Sequence, residues 1–154
     1  MNKETPVVRL KNVCFSYQDV QVLTGVTFDV YKNESIGIIG PNGGGKTTLL
    51  RLLMGFLKPT QGEIEIFGDA PIQMQSKLAY VPQNLQFDKQ FPLSLFELVL
   101  MGRLNHLPWH GKYSKEDNKL AMEALKKVGL ADFKNHAFGK LSGGQMQRGL
   151  IARA

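Results

Sequence analysis

Gly40-Pro41-Asn42-Gly43-Gly44-Gly45-Lys46-Thr47 fits the pattern G-x-x-x-x-G-K-[ST], and the rest of the chain is read outward from it. At average composition the pattern arises by chance in roughly 1% of chains of this length, so its surroundings must carry the weight. The apolar run Ile36-Gly37-Ile38-Ile39 precedes it and predicts a strand covered on both faces. Residues 46–57 then predict a helix that closes before Pro59. A strand, a glycine turn and a helix start together make a cradle for phosphate. Glycine lets backbone N–H groups approach an anion unhindered, and the helix start adds unpaired N–H groups and its positive dipole end. Lys46 brings a full charge to the β- and γ-phosphates, and the Thr47 hydroxyl is placed for Mg²⁺. Thr48 suits an α-phosphate contact or a loop cap. The competing reading is a glycine-rich strand–helix turn with no ligand.

On either side of the loop the apolar residues recur with two periods. Residues 8–11, 26–30 and 63–66 alternate apolar and polar, as half-buried strands do. Leu78-Ala79-Tyr80-Val81 is a continuous apolar run like 36–39, so a peripheral antiparallel sheet beside a central parallel one is expected. Helical signals dominate from about residue 86 to 140. Residues 93–101 form one apolar helix. Ser114-Lys115-Glu116-Asp117 resembles a capping box with Asp in the usual Glu place. Leu120, Ala121, Ala124, Leu125 and Val128 then share a helical face, with Gly129 as the stop.

The 154 residues suffice for one domain with a core, and 43% hydrophobic with 21% charged residues is ordinary for a globular protein. No apolar run approaches the length needed to cross a bilayer, and residues 1–5 lack the apolar core of a secretory signal. A cytosolic chain is expected. The single cysteine, Cys14, excludes an internal disulfide and reads as a buried thiol. The net charge of +6 is scattered, without a like-charge run that would mark a nucleic-acid patch. His106 and His110 have a metal-ligand spacing, but Pro108 and Trp109 between them argue against a shared helix face. Solvent-facing loop histidines are the plainer reading.

Leu141-Ser142-Gly143-Gly144-Gln145 is the sharper signal, because five specified residues are far rarer by chance than the phosphate-loop pattern. Ser142 suits a helix N-cap, Gln145 the third helical position, and Gly143 and Gly144 leave N–H groups open at a second helix start. An ordinary capped helix is the alternative when this segment is taken alone.

With both motifs in order, the whole chain resembles the ABC ATPase family. Gly40, Pro41, Asn42, Gly43, Gly44, Gly45, Lys46 and Thr47, with Thr48, match its Walker A loop. Ser142, Gly143, Gly144 and Gln145 match its signature motif. Tyr17 matches the aromatic that stacks on adenine, although a strand aromatic packing in the core would look the same. Gln83, after Pro82, matches the Q-loop glutamine that reaches Mg²⁺ and the attacking water. The resemblance implies ATP and Mg²⁺ as cofactors, with Thr47 and Gln83 at the metal and Lys46 and Gln83 in catalysis. Phe91-Pro92-Leu93-Ser94 followed by Val99-Leu100-Met101-Gly102-Arg103 looks like the group importing manganese, zinc or iron, and a related group importing iron chelates or cobalamin has a similar Gly-Arg segment. Gly149 departs from the family, which places a bulkier residue in that helix, and an interior glycine costs about 1 kcal/mol against alanine.

The expected fold is therefore α/β. It is a P-loop NTPase (ABC ATPase) core with a peripheral antiparallel β-subdomain and an inserted helical subdomain, without the C-terminal part of the parallel sheet. The expected division is 1–85 core, 86–140 helical subdomain and 141–154 signature helix. Nothing matches the Walker B aspartate or the catalytic glutamate, so the complete protein is expected to hydrolyse ATP and these 154 residues alone to be inactive. The resemblance further implies a head-to-tail dimer with a second copy, transmembrane permease subunits, indirectly a substrate-binding protein, and a place on the cytoplasmic face of the cell membrane. It implies no nucleic acid. An ABC ATPase of a soluble machine, or a catalytically incomplete nucleotide-binding fragment, is the alternative.

Overall fold

Alternating residues near the N-terminus form an antiparallel hairpin, β1 (Val8–Tyr17) and β2 (Val20–Val30), in the computed structural model, which describes residues 5–82, 91–109 and 111–154. β3 (Gln61–Ile66) pairs antiparallel with the other edge of β1, giving the order β2-β1-β3. Register breaks between Leu10, Val13 and Phe15 allow all three to face the core of this first unit. There they meet Leu23, Ile64 and two leucines of α1 (Lys46–Leu53), Leu49 and Leu52. Cys14 is half-buried, and its Sγ accepts the Gly25 N–H at 3.2 Å.

α1 is shorter than the predicted 46–57. It ends at Leu53 because Gly55 turns left-handed, with φ of 71°, and packs its backbone on Ile72; a Cβ there would lie 2.8 Å from the Ile72 nitrogen. A larger correction concerns the two continuous apolar runs. Among the described residues neither 36–39 nor 78–81 joins a sheet, and Ile36 and Ile39 are 50% and 96% exposed. An apolar run favours a strand only when a neighbouring strand completes its ladder, and the three-stranded sheet offers it none.

The chain divides into two compact units, Met1–Ala79 and Tyr80–Ala154. The second unit is helical. α2 (Leu95–Leu100), continued by a 3₁₀ stretch Met101–His106, packs on α3 (Lys115–Lys127) and α4 (Gly143–Arg153). Leu95, Leu98, Leu125, Leu130, Phe138 and Leu150 fill their shared core. All three helices open on a serine capping box, at Ser94, Ser114 and Ser142. Asp117 closes the second of these and also takes Arg103 Nε at 3.0 Å. The serine, chiefly, and then the arginine hold its carboxyl well below the usual range, at about 2.

Gly149 has a packing reason. It is buried, and a Cβ there would lie 2.7 Å from Leu95 Cδ1 and 3.4 Å from the Phe138 ring. The helix accepts an interior glycine because α4 and α2 approach closely at that point. Gly102 does the same at the end of α2, where a Cβ would overlap the Arg153 carbonyl oxygen.

Candidate functional site

The glycine loop is backed by β2 and open on its outer side. Gly45 has φ of 80°, and a Cβ on it would lie 2.8 Å from Leu23 Cδ2 and 3.1 Å from the Val22 carbonyl oxygen. No L side chain fits this conformation and this gap together. Gly43 also turns left-handed, with φ of 82°, while a Cβ on Gly40 or Gly43 would meet nothing within 4 Å. The Gly44 N–H closes a turn on the Pro41 carbonyl at 3.1 Å. Pro41, Asn42, Gly43 and Gly44 are exposed.

α1 starts from Gly45 with no side-chain cap and no acidic residue in its first turn. Its leading N–H groups and dipole thus face the loop without a side chain of their own to answer them. Lys46 Nζ reaches back across the loop and donates to the carbonyl oxygens of Gly40 at 2.8 Å and Pro41 at 2.6 Å. The ammonium is held by two weakly charged acceptors that an anion can replace. Thr47 is exposed beside it, a hard oxygen of the kind Mg²⁺ takes in small number, with phosphate and water supplying the rest. The donor set therefore fits a magnesium polyphosphate. Among the described residues no cluster of three His, Cys, Asp or Glu could hold a metal unaided.

Thr48 is buried. Hydrogen bonding from Thr48 and then from Arg51 lowers the Tyr17 phenol pKa below its ordinary value of 10. The Tyr17 ring is 41% exposed, and it meets the buried Phe15 ring at 4.8 Å and 86°. Arg51 was not singled out from the sequence. Its signal was the three-residue spacing from Thr48, which sets both on one face of α1.

The second motif lies in the other unit. Ser142 Oγ accepts the Gln145 N–H at 3.4 Å, and Gln145 Oε1 accepts the Ser142 N–H at 2.9 Å. Gly143 and Gly144 are exposed, and a Cβ on either would meet nothing within 4 Å. The start of α4 is thus half-answered by its own box and half open. Gln83 and His110 lie outside the described residues, as does the side chain of His106. No described helix is long and apolar enough to cross a membrane.

A family model described as ABC transporter matches residues 23–154. The "Probable metal transport system ATP-binding protein" of Chlamydia pneumoniae is 49% identical over 135 residues, covering 86% of this chain and 55% of its own length. The "Manganese transport system ATP-binding protein MntB" of Halalkalibacterium halodurans is 38% identical, covering 97% of this chain and 59% of its own length. Among solved structures, a bacterial ABC transporter cassette, MJ0796, seen as a dimer, superposes with a TM-score of 0.78 at 31% identity, over 95% of this chain and 68% of that one. A nucleotide-free ATP-binding cassette of an ABC transporter gives 0.81 at 29% identity, over 97% and 64%. The chain spans 55%, 64% and 62% of the length of three curated metal-transport relatives.

Proposed function

This chain belongs to the ABC transporter family, and on that premise we propose that it binds Mg-ATP and couples ATP binding and hydrolysis, in its full-length protein, to import of a metal ion. The observation that carries the reading is the loop at 40–47, walled by β2 behind Gly45, open in front, and leading into an uncapped helix.

The triphosphate lies against the exposed N–H groups of the loop and the first turn of α1. Lys46 exchanges its two carbonyl acceptors for phosphate oxygens. The Thr47 hydroxyl would hold Mg²⁺, joined by Gln83, and the metal would supply neutralisation of phosphate charge. Tyr17 offers its exposed ring to the adenine. A second copy presents the open N–H groups of Gly143 and Gly144, with Ser142 and Gln145 framing them, to the γ-phosphate from the opposite side. Two-fold symmetry makes two such sites from one pair of surfaces. ATP is then the adhesive between the copies, and hydrolysis releases them. Lys46 and Gln83 serve the chemistry by placing charge and water.

Transmembrane permease subunits are the partners that convert this closure to movement of cargo, with a substrate-binding protein further out. That places the protein at the cytoplasmic face of the membrane. The relatives, described as metal transport proteins and in one case as a manganese transport protein, support a metal ion as cargo over a role in a soluble machine, with manganese, zinc or iron as the proposed set.

Titration calorimetry of the full chain with Mg-ATP tests the binding step. Lys46→Ala should weaken affinity roughly a hundredfold, because phosphate charge loses its one full countercharge in the loop. Unchanged affinity would remove Lys46 and the loop from the site.

A further inference from the structure

α4 carries the open N–H groups of Gly143 and Gly144 in its first turn, and its setting is decided further along, at Arg148 and Gly149. Successive residues stand roughly 100° apart around a helix, so these two face different elements. Gly149 admits α2, whose Leu95 Cδ1 would lie 2.7 Å from a Cβ on it. Arg148 reaches α3, where its Nη1 donates to the Val128 carbonyl oxygen at 3.3 Å. Val128 is the C-cap of α3, and the chain turns away from it through Gly129, with φ of 68°. The Gly129 and Leu130 N–H groups donate back to the Lys126 and Leu125 carbonyls, at 3.0 and 2.9 Å. Those bonds answer two of the last carbonyls of α3, and the guanidinium answers a third, where the negative end of the helix dipole favours a cation. Arg148 is exposed, so replacing it opens no hole in the core.

We propose that Arg148, by tying α4 to the end of α3, is a positioning residue for the second phosphate contact. It fixes the rotation of α4 about its own axis, and with it the direction in which the Gly143 and Gly144 N–H groups meet the γ-phosphate held by a second copy. This rests on the two-copy reading above and adds to it a residue that touches no nucleotide. The physical reason is preorganisation. A helix start that must be turned into place when the nucleotide arrives weakens the closed state, and one already held does not. The capping box at Ser142 cannot supply this hold, because both of its bonds run within α4 and turn with it. Gly149 and Leu150 are buried among apolar groups, whose attraction has no direction. A hydrogen bond weakens steeply away from its axis, so the Arg148 tie resists rotation where apolar packing does not.

Two measurements on the full-length protein test this. Amide hydrogen exchange without nucleotide reads the tie itself. Arg148→Ala should speed exchange at Gly129 and Leu130 about fivefold, the loss of one exposed hydrogen bond from a charged donor, and leave residues 46–53 unchanged. Sedimentation with Mg-ATPγS, a slowly hydrolysed analogue, reads the consequence. Association should weaken about tenfold, since each dimer holds two copies of the tie. Calorimetry with Mg-ADP, which engages the phosphate loop without a γ-phosphate, should give an affinity within roughly twofold of wild type. Arg148→Lys keeps a cation at the end of α3 and should recover part of both losses. Weaker association with unchanged exchange would make Arg148 a direct contact between copies, and faster exchange with unchanged association would make the tie a matter of stability alone. Either result overturns the proposal. Wild-type protein that binds Mg-ADP yet stays monomeric with Mg-ATPγS would instead bring down the two-copy reading, and wild-type protein that binds neither would bring down the nucleotide reading.

Discussion

The two compact units start their helices in opposite ways. In Tyr80–Ala154 each of α2, α3 and α4 opens on a serine whose side chain answers a backbone N–H, with a Glu, Asp or Gln answering back. In Met1–Ala79, α1 opens on a left-handed glycine with no cap at all. A cap stabilises a helix start by about 1 kcal/mol, so an uncapped start is a local loss that an incoming anion can recover. Charge follows the same division. Residues 80–154 hold 11 Lys and Arg against 6 Asp and Glu, whereas residues 1–79 hold 8 against 7. Most of the excess that makes the chain basic therefore lies in residues 80–154, partly on the capped helices and partly on the segments between them. The unit proposed to take the triphosphate does so with oriented N–H groups and one lysine rather than with a basic field. The glycines divide too. Gly43 and Gly45 serve left-handed backbone in the loop, while Gly102 and Gly149 serve close approach between packed elements.

The largest expected effect tests the packing side of this contrast. Gly149→Leu should destabilise the fold by about 3 kcal/mol, because the gap to Leu95 and Phe138 admits no side chain. Urea unfolding measures it. A variant as stable as wild type would mean that α2 and α4 do not meet as described. Next comes the uncapped start. At an ordinary helix N-terminus a serine in place of glycine is tolerated or helps. Gly45→Ser should instead cost about 1–2 kcal/mol, since it forces an L residue into φ of 80° against Leu23. It should also abolish tight ATP binding, and a stabilised variant with intact affinity would erase the distinction between the two kinds of helix start. The smallest effect is a pH dependence in the second unit. The carboxyl of Asp117 is held at about 2, below its ordinary 3.8. Its contribution is therefore fully present above 3.8 and is lost as pH falls through about 2. The stability difference between wild type and Asp117→Asn should be flat above about pH 4 and shrink below it. A difference that stays constant down to pH 2 would show that the carboxylate charge is not what closes the box.

Sequence by itself determined the parts of this protein whose cause is local. The three strands of the antiparallel sheet follow from period-two patterning at 8–11, 26–30 and 63–66, and the caps at Ser114 and Ser142 follow from side chains that reach only three residues. The phosphate loop was legible because its chemistry is carried by backbone and two adjacent side chains. The tertiary structure decided whatever needed a distant partner. Ile36 to Ile39 looks like a buried strand, yet a strand is defined by a ladder that no local pattern supplies. Gly149 looked like a defect of about 1 kcal/mol until Leu95, over fifty residues earlier, proved to occupy the space its side chain would need. Arg51 reads as an ordinary helix residue, and only the fold lets it join Thr48 in lowering the Tyr17 phenol pKa, over thirty residues before it. Contacts between residues far apart in the chain depend on how whole elements pack, and that information is not present at either position alone.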